Sequence, residues 1–258
     1  MHPILFQIGS TSIHSYGVLI ALGALMGFIY LSRMAKKELG IESDVIHGLA
    51  RLIILAAFIG GKIFYYFEDP GFYFSSPSNM LHNFRTGFVF YGSLIFVIPA
   101  VIWYFRKHKL PTFPMLDRLA FTGLIIHAFG RMGCFFAGCC YGQSTDGPIF
   151  ISFSDEASMA PVGEHLHPTQ LYSVTLLLAI MAILWMFKRY QRFEGQLFFI
   201  YIMLYALGRS VIEIFRGDLR RGFIIEDVLS HSQFISLLLI AIVGFFYVWQ
   251  MKRAKANG

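Results

Sequence analysis

Along this chain, apolar stretches about twenty residues long alternate with short polar connections, and that alternation decides the class of fold before any motif is weighed. Seven windows are long and apolar enough to be read as membrane spans, at about 16–34, 46–67, 88–105, 115–136, 168–187, 196–216 and 232–251. The longest connection, about 137–167, carries GPIFISFS with period-2 character and predicts a small extramembrane cap with a short hairpin. No internal repeat or long linker interrupts the series. The pattern therefore predicts an all-α polytopic membrane protein. It is expected to be one integral membrane domain over 1–258, with seven transmembrane helices and a small outer-face cap between spans four and five.

Composition turns this into an exclusion. Of the 258 residues, 56% are hydrophobic and 14% charged, against about 25% charged in ordinary soluble domains, so a soluble globular fold is excluded. A net charge of +6 could suit nucleic acid, but the basic residues punctuate the apolar runs and form no patch. The expected partner is the lipid bilayer, with no nucleic acid. Arg33, Lys36 and Lys37 follow the first span, and Arg106, Lys107 and Lys109 the third. Lys188, Arg189 and Arg192 follow the fifth, and Lys252, Arg253 and Lys255 the last. The other connections hold only Arg85, Arg220 and Arg221. Positive-inside logic puts the N-terminus outside and the C-terminus in the cytoplasm. The opening MHPILFQIGSTSIHS lacks the basic start and cleavage site of a signal peptide, so the first apolar run is expected to be a permanent span.

Orientation then gives the buried charges a common address. Ionisable side chains inside spans are costly and mark function by default. Here they are Lys62, Arg131, Arg209, Glu213 and Arg216, in the last thirds of spans two, four and six, which run outward. Tyr16, Tyr91, His167 and Gln170 join them from the outer starts of odd spans. GRSVIEIFRGD puts Arg209, Glu213 and Arg216 at i, i+4 and i+7, on one helix face. More plainly, this could be a helix end whose arginines snorkel to headgroups, with Glu213 pairing Arg209. Arg131 and Arg209 lie nearly two turns inside their apolar runs and fit that less well. An excess of cations at headgroup depth calls for an anion, and a lipid phosphate held by the planar guanidinium fork answers it. Outside this group, Gly23 and Gly27 form a GxxxG helix-packing pattern. Asp117 and Arg118 read as a capping pair, His127 as a packed, hydrogen-bonded histidine, and Tyr16 taken alone as an interfacial aromatic.

Six short motifs, in order on these spans, resemble the bacterial prolipoprotein diacylglyceryl transferases. They are SYGVLIALG (15–23), AFIGGKIFYYF (57–67), FVFYGSLI (88–95), GRMGCFFAGCCYG (130–142), HPTQLYS (167–173) and GRSVIEIFRGD (208–218), and LSHSQFISLLL (229–239) is similar to the family's final span. The resemblance implies transfer of the diacylglyceryl group of phosphatidylglycerol to the lipobox cysteine of a preprolipoprotein signal peptide. Glycerol phosphate would be released at the outer face of the bacterial cytoplasmic membrane, with no cofactor and no metal. Arg131, Arg209, Lys62, Tyr91, Gln170 and Arg216 would then bind phosphatidylglycerol. Arg131, Arg209, Glu213, Tyr16 and His167 would form the catalytic set, with Glu213 holding Arg209 and His167 available to accept a proton.

The chain departs from the family pattern G-R-x-G-N-F-x-N-x-E at three positions, with Cys134 and Ala137 for the asparagines and Cys139 for the glutamate. Lys62 replaces an arginine, Tyr91 a common histidine and Ser173 a common glutamate. Three readings of Cys134, Cys139 and Cys140 stand side by side: small packing residues, a disulfide using Cys134, or a metal or covalent role. Two other functions remain open at this point, a paralogue serving another acceptor and a seven-helix lipid-binding or transport protein. A transporter would place its charges at the midplane and show repeats.

Overall fold

A computed structural model describes residues 2–9, 11–84, 87–217, 223–225 and 229–256 of the chain. Arg85, Asp218, Arg220 and Arg221 lie outside the described residues. Each predicted span coincides with a helix: α1 (Ser15–Leu39), α2 (Ser43–Glu68), α5 (Phe90–Lys107), α6 (Thr112–Ala137), α7 (Thr169–Phe187), α8 (Gln196–Ile214) and α9 (His231–Ala256). Two short helices, α3 (Pro70–Ser75) and α4 (Pro77–His82), lie between α2 and α5. All except α3, α4 and α5 are long and apolar enough to cross a membrane, six in number among the described residues. Helix α5 has 18 residues, contains Pro99, and ends in Arg106 and Lys107, so its apolar part falls short of the roughly 20 residues of a full span.

Two compact units make up the chain, Ser32–Met115 and the remainder, Met1–Leu31 with Leu116–Gly258. In the second of these, α6, α7 and α8 share a core of Phe121, Leu124, Leu177, Ile180, Leu184 and Leu197. Helix α1 packs on α6 at its GxxxG positions. A methyl group on Gly23 would lie 2.6 Å from Phe129 Cβ, and one on Gly27 would lie 2.8 Å from Ile126 Cγ1. Asp117, fully buried, ties the start of α8 to α6. Its carboxylate accepts from Gly195 N (2.8 Å), Phe198 N (3.0 Å) and Gln191 Nε2 (2.6 Å). A carboxylate on otherwise unpaired amides at a helix start is favourable in charge and in hydrogen bonding. In the unit Ser32–Met115, α2 and α5 approach so closely that a methyl on Gly60 would meet Gly92 O at 2.4 Å. Ser93 Oγ also donates to Ala57 O across the same contact (2.8 Å).

The hairpin expected within 137–167 does not form. That stretch makes isolated bridges instead, Ser144 and Ile151 each with Leu166 and Phe153 with Val162. These close around a small core of Phe153, Ala160 and Leu166. The alternation in GPIFISFS turns Phe153 inward onto this core without giving it a regular partner strand. An N-terminal hairpin, β1 (Ile4–Ile8) with β2 (Thr11–His14), runs antiparallel and leads directly into α1. Ser15 seals the junction, with its amide on Pro3 O (2.9 Å) and its hydroxyl on His2 O.

Candidate active site

The predicted site residues of the larger unit gather where α6 ends, α7 begins and α8 ends. Helix α6 stops because Gly138 adopts the left-handed backbone (φ 72°), which glycine takes without steric cost. Gly138 N then donates to Phe135 O (3.3 Å) and Cys139 N to Cys134 O (3.1 Å), the paired bonds of a Schellman close. This motif brings the residue after the turn back over the residue that starts it, so Cys134 and Cys139 meet. Met159 N takes the freed Ala137 carbonyl (3.1 Å), which anchors the cap on the helix end.

The start of α7 holds the turn from the other side. Thr169 Oγ1 donates to Cys140 O and Gln170 Nε2 to Cys139 O, both at 2.7 Å. Gln170 is 0% exposed, so this contact is fully enclosed. His167 joins the cap through backbone bonds with Gln143 O (3.0 Å) and Gly142 N (2.9 Å). Its Nδ1 lies 3.1 Å from Tyr172 Oη, and its ring packs edge-on against Phe215. Gly142 is a point of close approach, because a methyl there would lie 2.5 Å from His167 Cβ and 2.6 Å from Phe215 O.

The arginines come next. Arg131 Nε donates to His127 Nε2 (3.2 Å), one helical turn back on α6, which makes His127 a neutral acceptor in this arrangement. The His127 ring is tilted against Tyr205 of α8, with centroids 5.2 Å apart, and lies in the field of both Arg131 and Arg209. Arg209 and Glu213 pair at 2.5 Å on one face of α8, with Glu213 only 4% exposed. Arg216 follows the end of α8, bridged to Gly142, and Gln143 Nε2 donates to the Arg216 carbonyl (3.1 Å). The Cys140 thiol is pulled below the usual thiol range by hydrogen bonds from Cys134 and Cys139 and by Arg131 and Arg216, against its burial. Three guanidiniums against one carboxylate leave an excess positive charge suited to a phosphate. Tyr16, exposed at the start of α1, packs over the same helix end, since a methyl on Gly133 would lie 3.0 Å from its ring.

Lys62 and Tyr91 belong to the unit Ser32–Met115 and are described there. Lys62 is 7% exposed, and its ammonium donates to Gly87 O (3.0 Å) and lies over the rings of Tyr65, Phe84 and Tyr66. Tyr91 is exposed at the start of α5, beside Phe90.

The sequence has counterparts among known proteins. The family model of prolipoprotein diacylglyceryl transferase matches residues 3–249. The chain belongs to the prolipoprotein diacylglyceryl transferase family. It is 38% identical over 248 residues to the phosphatidylglycerol–prolipoprotein diacylglyceryl transferase of Clostridium tetani, covering 95% of this chain and 96% of that one. It is 32% identical over 261 residues to an enzyme of the same description, numbered 2, from Clostridium perfringens, with 100% and 99% covered. A third relative of that description, from Dehalococcoides mccartyi strain 195, is 28% identical over 256 residues. Prolipoprotein diacylglyceryl transferases are membrane enzymes, and the apolar helices of this member fit a multi-pass chain of that kind.

Within this transferase, His127, expected as a packed, hydrogen-bonded histidine, is one, and its partner is Arg131 one turn on. Gln143 and Phe215 carried no signal in the sequence, because their partners come from distant elements. Tyr172 lies inside HPTQLYS, five residues after its partner His167, and that spacing was a usable signal.

Proposed function

We propose that this transferase moves the diacylglyceryl group of phosphatidylglycerol onto the cysteine thiol of a preprolipoprotein lipobox, releasing glycerol phosphate. The reaction would take place at the outer face of the bacterial cytoplasmic membrane. One observation supports this above the rest: Arg131, seated on His127, lies among Arg209–Glu213 and Arg216 beside an enclosed turn.

The chemistry sets the requirements. The substrate thiolate attacks the glyceryl carbon, a sulfur–carbon bond forms, and the carbon–oxygen bond to phosphate breaks. The leaving glycerol phosphate gains negative charge, approaching −1.5 to −2 for a monoester near pH 7. Guanidiniums fixed beforehand by the fold stabilise that developing charge without reorganising. Arg131 and Arg209 bind the leaving phosphate, with Glu213 holding Arg209 in place. Arg216, Lys62, Tyr91 and Gln170 contribute to phosphatidylglycerol binding, and Gln170 acts by fixing the turn at Cys139. Tyr16, packed over the end of α6, binds the headgroup or the attacking region. His167, oriented by Tyr172, accepts the thiol proton. Seven spans with the N-terminus outside, in one membrane domain whose cap of about 137–167 faces outward, would set these groups at headgroup depth.

Purified enzyme in vesicles of phosphatidylglycerol, given a lipobox peptide, should release glycerol phosphate in step with loss of the peptide thiol. Folded enzyme that releases none under these conditions contradicts the proposal.

A further inference from the structure

We propose that Cys134, Cys139 and Cys140 form a binding site for a soft, thiophilic cation of the zinc class. Their three sulfur atoms all lie within 4.8 Å of one another. A tetrahedral cation with metal–sulfur bonds of about 2.3 Å spaces its sulfurs about 3.8 Å apart. The thiols therefore need to close by no more than about 1 Å, a side-chain adjustment that leaves the backbone in place.

That backbone is already fixed. Cys134 and Cys139 are the two ends of the Schellman close. Cys140 holds the left-handed backbone (φ 59°), a conformation costly for a residue with a Cβ that persists only where its surroundings impose it. Thr169 and Gln170 impose it here, through the carbonyls of Cys140 and Cys139. Gln170 also keeps a fully buried Oε1 with no partner among the described residues, a polar atom left over beside the thiol turn.

Donor chemistry selects the ion. Three sulfurs favour zinc-class or monovalent copper ions over hard cations such as magnesium or calcium. Three thiolates on a divalent ion leave one net negative charge, and Arg131 and Arg216 stand near Cys140 as counter-charges. The cysteines are partly buried, so a small ion has access while the sulfurs keep a low-dielectric setting. Three protein ligands leave a fourth position for water. Packing needs no convergence of three sulfurs, and a disulfide uses only two. The sequence spacing alone completes no recognised metal pattern; the convergence comes from the fold. The inference does not depend on the transferase reading.

The test uses the full chain in detergent, with its thiols reduced, titrated with cadmium chloride alone. One cadmium should bind per chain, with thiolate-to-cadmium charge-transfer absorption, release of protons, and protection of all three thiols from alkylation. Each of C134S, C139S and C140S should weaken binding by more than the roughly 10–100-fold that loss of an outer-sphere partner costs. Thr169→Val, which releases the Cys140 carbonyl, should fall within about 10–100-fold. Protection measured on the unsubstituted protein keeps the test sound if a variant fails to fold. Absence of the absorption, thiols that alkylate equally with and without cadmium, or undiminished binding in the well-folded serine variants overturns the proposal.

Discussion

Arg131 is where the chemistry of single residues is most exposed to test. Its Nε–H is committed to His127, which fixes the guanidinium plane; in the proposed reaction its two terminal nitrogens hold the phosphate. Loss of one donor to a developing oxyanion costs about 10²–10³ in kcat. Arg131→Ala and Arg209→Ala should each lower turnover by at least about 10², whereas Arg85→Ala should leave it near the starting value. Steady-state assay in phosphatidylglycerol vesicles measures this, and full activity in both core variants would refute the phosphate role. His127→Phe removes the acceptor and not the charge. A hydrogen bond to a charged group contributes about 1.5–3 kcal/mol, so kcat/KM should fall about ten- to a hundredfold. His127→Gln, which can still accept, should recover part of the loss. Equal activities for the two variants would mean that Arg131 needs no such seat.

At the scale of elements, α1, α2, α6, α7, α8 and α9 were readable because their apolar runs are long enough to cross a membrane, while α5 shows a shorter run at its expected place. What could not be read was set by contacts between distant segments. The cap closes on Leu166, which bridges both Ser144 and Ile151, and no local alternation encodes that choice. Helices α3 and α4 have six residues each, with Pro70 and Pro77 at their starts, too short for a hydropathy signal. The approach of α2 to α5 likewise appeared in sequence only as scattered glycines. It yields a clear prediction, because a methyl at Gly60 or Gly92 would press on the opposite carbonyl at 2.4 or 2.5 Å. Gly60→Ala and Gly92→Ala should each destabilise the protein by about 1–3 kcal/mol. Thermal unfolding in detergent reads this as a lowered Tm, and an unchanged Tm for both would refute the close crossing.

For the whole molecule, the candidate site was partly legible. The i, i+4 spacing of Arg209 and Glu213 foretold their ion pair, and the positions of Arg131, His167 and Gln170 near span ends foretold their common region. The convergence of the three thiols was hidden, because it follows from the backbone of a helix end. Orientation is a claim about the whole chain. Labelling of single cysteines introduced near each terminus of an otherwise cysteine-free variant, in intact cells, should find the N-terminal site accessible and the C-terminal site protected. The reverse pattern would put the arginine cluster on the wrong side for an extracytoplasmic substrate. The central claim is the transfer itself, and mass spectrometry of a lipobox peptide after incubation with the enzyme in phosphatidylglycerol vesicles tests it most directly. The peptide should gain one diacylglyceryl group at its cysteine through a thioether, and a serine-for-cysteine peptide should gain none. Unmodified cysteine peptide recovered from folded, reconstituted enzyme would contradict the account.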